Sequence, residues 1–134
     1  MTTPYATLLS VRKIEEQEAE VVLAEALRQA AAAERTLLQC RQARAAWLDE
    51  PMDAAALTAS EAAEREAEVR LAAARVTVTE AREGLIERQR QRKVVEQLHV
   101  EALTAQAQAQ ARRAQKELDE LGSRTVNALT ETRR

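Results

Sequence analysis

The sequence predicts an all-α fold, a long two-helix antiparallel coiled-coil hairpin with a C-terminal helical overhang. Three observations carry that expectation. Ala, Glu, Arg, Leu and Lys together supply 83 of the 134 residues, well above the roughly half that marks a coiled coil or long helix. Only two glycines and two prolines punctuate the chain, and Pro51 separates two long stretches of helical periodicity. With no Phe, one Tyr and one Trp, the aromatic area that dominates most compact cores is missing, so Ala and Leu must form a long seam of small contacts. The length suits a single domain, 1–134.

The first helix is expected over about 3–48. Thr3 followed by Pro4 has the form of an N-cap and a first helical position. Small and apolar residues then recur at 3-and-4 spacing: Ala19, Leu23, Ala26, Ala30, Ala33, Leu37 and Cys40, with Trp47 after a polar interruption at Arg44. Toward the N-terminus the stripe passes through Glu16 and Arg12 before reaching Leu9, Leu8 and Tyr5, so the seam there is polar or changes face.

A turn is expected over about 49–58. In Asp49-Glu50-Pro51-Met52-Asp53, proline disfavours helical geometry in the residue before it and cannot donate its own backbone hydrogen bond. The second helix can start at Asp53 or near Thr58, where Thr58 and Glu61 have capping-box spacing; the span adopted is about 59–121, with a frayed tail over 122–134 beginning at Gly122-Ser123. Its stripe runs through Leu71, Ala74, Val78, Ala81 and Leu85, then Val95, Leu98, Ala102, Ala105 and Ala109, closing at Leu118 and Leu121. The β-branched run Val76-Thr77-Val78-Thr79 and Gly84 weaken this helix locally, the glycine by about 1 kcal/mol, without breaking it. A first helix of about 45 residues spans roughly 68 Å and a second of about 62 roughly 93 Å. The arms are unequal, so the segment from near Ala105, carrying Leu118, Leu121 and Leu129, extends unpaired.

The net charge of −2 argues against a dedicated nucleic-acid binder, which needs a clustered basic surface. The distribution is uneven: residues 49–68 carry seven acids and one base, residues 69–93 seven bases and three acids. Such blocks form a solvated face, set pairing register or steer a partner. The basic block from Arg88 to Lys93 is read as a solvated face or as pairing with acids of another molecule. Cys40 is the only cysteine, which suits a reducing, cytosolic setting and excludes an intramolecular disulfide. No basic n-region precedes the uncharged first eleven residues and no run reaches the ~18 apolar residues of a membrane span, so a soluble protein without a secretory signal is expected.

No catalytic, cofactor or metal residues are assigned. His99, beside the seam, has no second His or Cys nearby and is read as structural. With Gly84 and Gly122 the only glycines, no phosphate-binding loop can be built, and an enzyme is the weakest reading.

The C-terminal helix carries a resemblance. Gln115-Lys116-Glu117-Leu118-Asp119-Glu120-Leu121, preceded by Arg88-Gln89-Arg90-Gln91-Arg92-Lys93 and Val94-Val95-Glu96-Gln97-Leu98, resembles the C-terminal helix of the flagellar export protein FliJ. Leu8-Leu9-Ser10-Val11-Arg12, with Glu15 to Ala19 after it, resembles the start of its virulence-system counterpart YscO. The resemblance spans nearly the whole chain. It implies a cytoplasmic stalk component of a bacterial type III secretion system, peripheral to the inner-membrane apparatus. Its chain ends would sit in the pore of the hexameric export ATPase, and other surfaces would contact the export-gate membrane protein and secretion chaperones. Carried over by position, the implied ATPase-contacting residues are Leu8, Leu9, Arg12, Gln115, Lys116, Leu118, Asp119, Glu120 and Leu121.

The aromatics that family members often carry near the hairpin bend are reduced here to Trp47, so Trp47 and Met52 are read as covering the hairpin end or as a partner contact. Two other function classes remain open. One is a generic coiled-coil scaffold that dimerises through the same stripes; the other is an amphipathic protein of lipid surfaces.

Overall fold

The computed structural model describes residues 3–47 and 53–132 and is all-α. Helix α1 spans Pro4–Ala46 and helix α2 spans Ala54–Thr132; the two pack against each other as a helical hairpin whose second helix is the longer. Their contacts gather into two compact units, Val11–Arg92 and Met1–Ser10 with Lys93–Arg134.

In the unit Val11–Arg92 the two helices run antiparallel. Arg44 reaches Glu61 and Glu64, Arg41 reaches Glu64 and Glu68, Glu34 meets Arg75, and Glu15 meets Arg88. Members of the acidic and basic blocks thus pair across the two helices, and in the basic block Arg88 and Arg92 are held by Glu15 and Glu16 of α1.

Seam positions follow strict 3-and-4 spacing. On α1 the expected stripe from Ala19 to Cys40 is buried or half-buried throughout, while Arg44 and Trp47 are exposed. On α2 the positions Leu71, Ala74, Val78, Ala81 and Leu85 face the seam as expected. Leu37, Ala67 and Leu71 form the one buried apolar cluster of this unit, with Ala33 and Cys40 against it. Buried alanines at 26 and 67 let the helix backbones approach more closely than leucines would.

Cysteines placed at Leu37 and Ala67, with Cys40→Ser to remove the native thiol, are expected to cross-link within one chain. Non-reducing mass analysis reads this, and purely intermolecular products would sink the pairing.

Beyond Leu85 the α2 seam differs from expectation. The 3-and-4 spacing continues through polar positions, Gln89 and Arg92, to Val95, His99, Ala102 and Gln106. Arg92, Val95, His99, Ala102 and Gln106 are buried or half-buried, while Leu98, Ala105 and Ala109 are exposed. Val95 and Ala102 are seam positions as expected, whereas Leu98 and Ala105 fall one residue short of His99 and Gln106 because only apolar residues were followed.

Helix boundaries also depart from expectation. Asp53 caps α2, its Oδ1 accepting from the Ala56 backbone N–H at 2.7 Å, so the helix starts ahead of Thr58, whose hydroxyl bonds back to the Ala54 carbonyl. The turn is accordingly shorter than 49–58; residues 48–52 lie outside the described residues. At the other end α2 continues to Thr132: Gly122 has no positive φ and does not break it, and no frayed segment begins there. The β-branched run stays helical, with the Thr77 and Thr79 hydroxyls donating to the Ala73 and Arg75 carbonyls one turn back.

Candidate partner-binding surface

Within the unit that contains Lys93–Arg134, every residue over 107–132 is exposed. None of the described residues covers this part of α2. Its apolar side chains are large: Leu118, Leu121, Val126 and Leu129 are 57–63% exposed. They are also out of phase with the seam. Continued from Ala102 and Gln106, the heptad positions would be Ala109, Arg113, Lys116 and Glu120, which are mostly charged. Leu118 and Leu121 therefore belong to a separate stripe, and the sequence reading that made them the end of the seam is corrected here. The stripe is exposed because α1 begins at Pro4, with Thr3 level with His99, so that among the described residues no helix lies beside α2 further on.

Gln115, Lys116, Leu118, Asp119, Glu120 and Leu121 all lie on this exposed segment. Gln115 donates to Asp119 Oδ1 at 3.0 Å, an i,i+4 bond that supports the helix. The N-terminal candidates are placed differently. Leu9 is buried and Leu8 is 39% exposed, so Leu9 serves packing. Arg12, in the other unit, donates to Glu15 Oε2 at 3.0 Å. Within its unit the Thr3 hydroxyl is hydrogen-bonded to His99 Nδ1. Leu9 lies inward of that point and Gln115 outward, about 33 Å apart along the helix axis at 1.5 Å per residue. The two sets of candidates thus do not form one contiguous patch.

The Thr3–His99 bond explains both residues. Thr3 is 4% exposed, and its hydroxyl serves the imidazole rather than a free backbone N–H of α1, while the Thr3 carbonyl accepts from Ala6 at 3.2 Å. His99 occupies a seam position and has a structural partner, as its isolation in the sequence suggested. Trp47 is 45% exposed; Met52, paired with it in the sequence reading, lies outside the described residues.

Among the described residues, shifts in acidity occur at ion pairs along the helix surfaces. Glu64 is held below the usual carboxylate range chiefly by its hydrogen bond from Arg44, whose guanidinium is pushed up in return. Glu25 is lowered by its hydrogen bond from Arg28 one turn away. These are pairing effects of a helix surface and mark no acid or base for chemistry. Among the described residues no group of three or more His, Cys, Asp or Glu is placed to hold a metal ion, and no helix is long and apolar enough to cross a membrane.

One surface escaped the sequence reading altogether. In the unit Val11–Arg92 an open cleft of about 430 Å³ is lined by Ala19 and Val22 of α1 and by Thr77, Ala81 and Gly84 of α2, with Glu18 and Glu80 among its charged neighbours. The available signal was Gly84, a glycine inside a long helical pattern with no turn to explain it. Compared with known proteins, the chain matches no family model, no curated protein and no solved structure.

Proposed function

We propose that this chain is a cytoplasmic stalk component of a bacterial type III secretion system, binding the hexameric export ATPase through the exposed C-terminal part of α2 and promoting its assembly and activity. Contacts with the export gate and with secretion chaperones belong to the same proposal. The observation that carries it is the 107–132 segment, where a helical stripe of Leu118, Leu121 and Leu129 has no cover among the described residues. This is also the segment whose sequence resembles the FliJ C-terminal helix. A stalk of this kind couples mechanically, by offering a helix of mixed charge to the walls of a ring. Lys116, Asp119, Glu120 and Arg124 supply both signs within nine residues.

The hairpin disfavours the scaffold alternative in its simplest form, since the stripes that would pair two chains already pair the two helices of one. The test is ATP hydrolysis by a type III export ATPase from the same source, with sizing to follow the hexamer. Activity and hexamer are expected to rise together on adding the chain. A Lys116→Ala, Asp119→Ala, Glu120→Ala variant, helical by circular dichroism, is expected to lose that effect. A folded wild-type chain that changes neither quantity would overturn the assignment.

A further inference from the structure

We propose that the cleft between α1 and α2 in the unit Val11–Arg92 receives a third helix from another protein, apolar on one face and basic along its flanks. This inference is independent of the ATPase assignment.

Gly84 is the starting point. Glycine is the costliest residue in a helix interior after proline, so a reason for keeping it is needed. Backbone conformation supplies none, because no glycine has positive φ. Packing within the chain supplies none either, because a Cβ built on Gly84 meets nothing within 4 Å. A Cβ there would project into the cleft. Glycine at such a position permits close approach by another backbone.

The rest of the cleft fits a helix. Ala19, Ala81 and Gly84 keep its floor low, and Val22 extends it onto the flank of α1, where Ile14, Val21 and Val22 are 54–65% exposed. These three aliphatic side chains also line a second shallow hollow with Gln17 and Glu18. The cleft lies open to solvent, so a small molecule would be left largely wet, whereas a helix laid against both hollows would cover the valines and the isoleucine.

Charge selects the helix. Four charged residues line the cleft, and two of them, Glu15 and Arg88, neutralise each other as an ion pair. Among the described residues, Glu18 and Glu80 at the cleft have no such partner. Two unpaired carboxylates on either side of an apolar floor suit lysines or arginines flanking an apolar stripe.

The test uses the full chain and two synthetic 21-residue helical peptides with leucine at heptad spacing, one flanked by lysines and one by glutamates. Fluorescence anisotropy is expected to show the lysine peptide binding and the glutamate peptide at least tenfold weaker. A Glu18→Lys, Glu80→Lys variant is expected to lose at least tenfold in affinity for the lysine peptide. Gly84→Leu, which changes no charge, is expected to lose tenfold as well, separating the cleft from general attraction to an acidic surface. Gly84→Ala cannot fail for want of folding. It is expected to raise the melting temperature by about 3–6 °C while weakening binding several-fold, a split that a merely structural glycine would not produce. Equal binding by Gly84→Leu and wild type, no preference between the peptides, no binding at about 100 μM, or occlusion of the cleft by a second copy in sedimentation would each overturn the proposal.

Discussion

Leu71→Ala is expected to lower the unfolding free energy by about 2–3 kcal/mol. Leu71 is 6% exposed and packs with Leu37 and Ala67, themselves 6% and 4% exposed, in the buried apolar cluster of the unit Val11–Arg92. The value falls in the lower half of the usual range for a buried leucine because the seam is only two helices thick. Solvent lies on both sides, and the cavity collapses more easily than one inside a globular core. Even so, the loss is a large fraction of the ~5–15 kcal/mol that stabilises ordinary domains. Leu38→Ala is the control: it removes the same atoms from a side chain 54% exposed, and less than about 0.5 kcal/mol is expected. Urea titration followed by circular dichroism reads both. Equal losses at 38 and 71 would mean that the seam does not run where these contacts put it.

How far the sequence carried the fold depended on which residues formed the stripe. Where small and apolar residues repeat without a gap, from Ala19 to Cys40 and from Leu71 to Leu85, periodicity located every seam position, because burial of one face is what fixes a helix's orientation. It failed after Leu85. There the phase is carried through Gln89 and Arg92, and following apolar residues alone leads to Leu98 in place of His99 and to Ala105 in place of Gln106. The helix ends were misjudged for a related reason. Asp53 and Thr58 both offer capping chemistry, and choosing between them depends on which backbone N–H groups are left free. The unequal arms were legible from length alone, so exposure of Leu118 and Leu121 was foreseeable. The cleft at Gly84 was not, since its walls come from two stretches more than fifty residues apart in sequence.

One of those polar seam positions, Arg92, gives the second large expectation: Glu16→Lys should cost about 2–3 kcal/mol. Glu16 and Arg92 pair across the seam with side chains only 14% and 24% exposed, and Glu15 bridges Arg12 and Arg88 beside them. Arg12 Nε is buried with no hydrogen-bond partner among the described residues. Reversal at 16 would set a like charge against Arg92, beside Arg12 and Arg88, which share Glu15. Breaking a fully buried pair costs about 3–5 kcal/mol; residual solvent access reduces this, and the added repulsion restores part of it.

Replacing both partners is expected to behave differently. Glu16→Leu with Arg92→Leu should change stability by less than about 1 kcal/mol in either direction, because apolar contact offsets the lost ion pair and its desolvation. What it should lose is uniqueness of register, the best-attested use of a polar group in a coiled-coil seam. Alanine-rich stripes with strict 3-and-4 spacing fit nearly as well one heptad out of step, whereas a charged layer fits in only one alignment. A slip of one heptad moves one helix along the other by about 10.5 Å, enough to alter which residues of α2 stand beyond the reach of α1. Cross-linking reads this directly. Cysteine at 37 paired with cysteine at 67 should lose yield in the double leucine background, while cysteine at 37 paired with cysteine at 60 or 74 should gain it. Undiminished 37–67 cross-linking would show that Arg41, Arg44 and their glutamates hold the alignment alone, and that the layer at Glu16 and Arg92 serves something other than register.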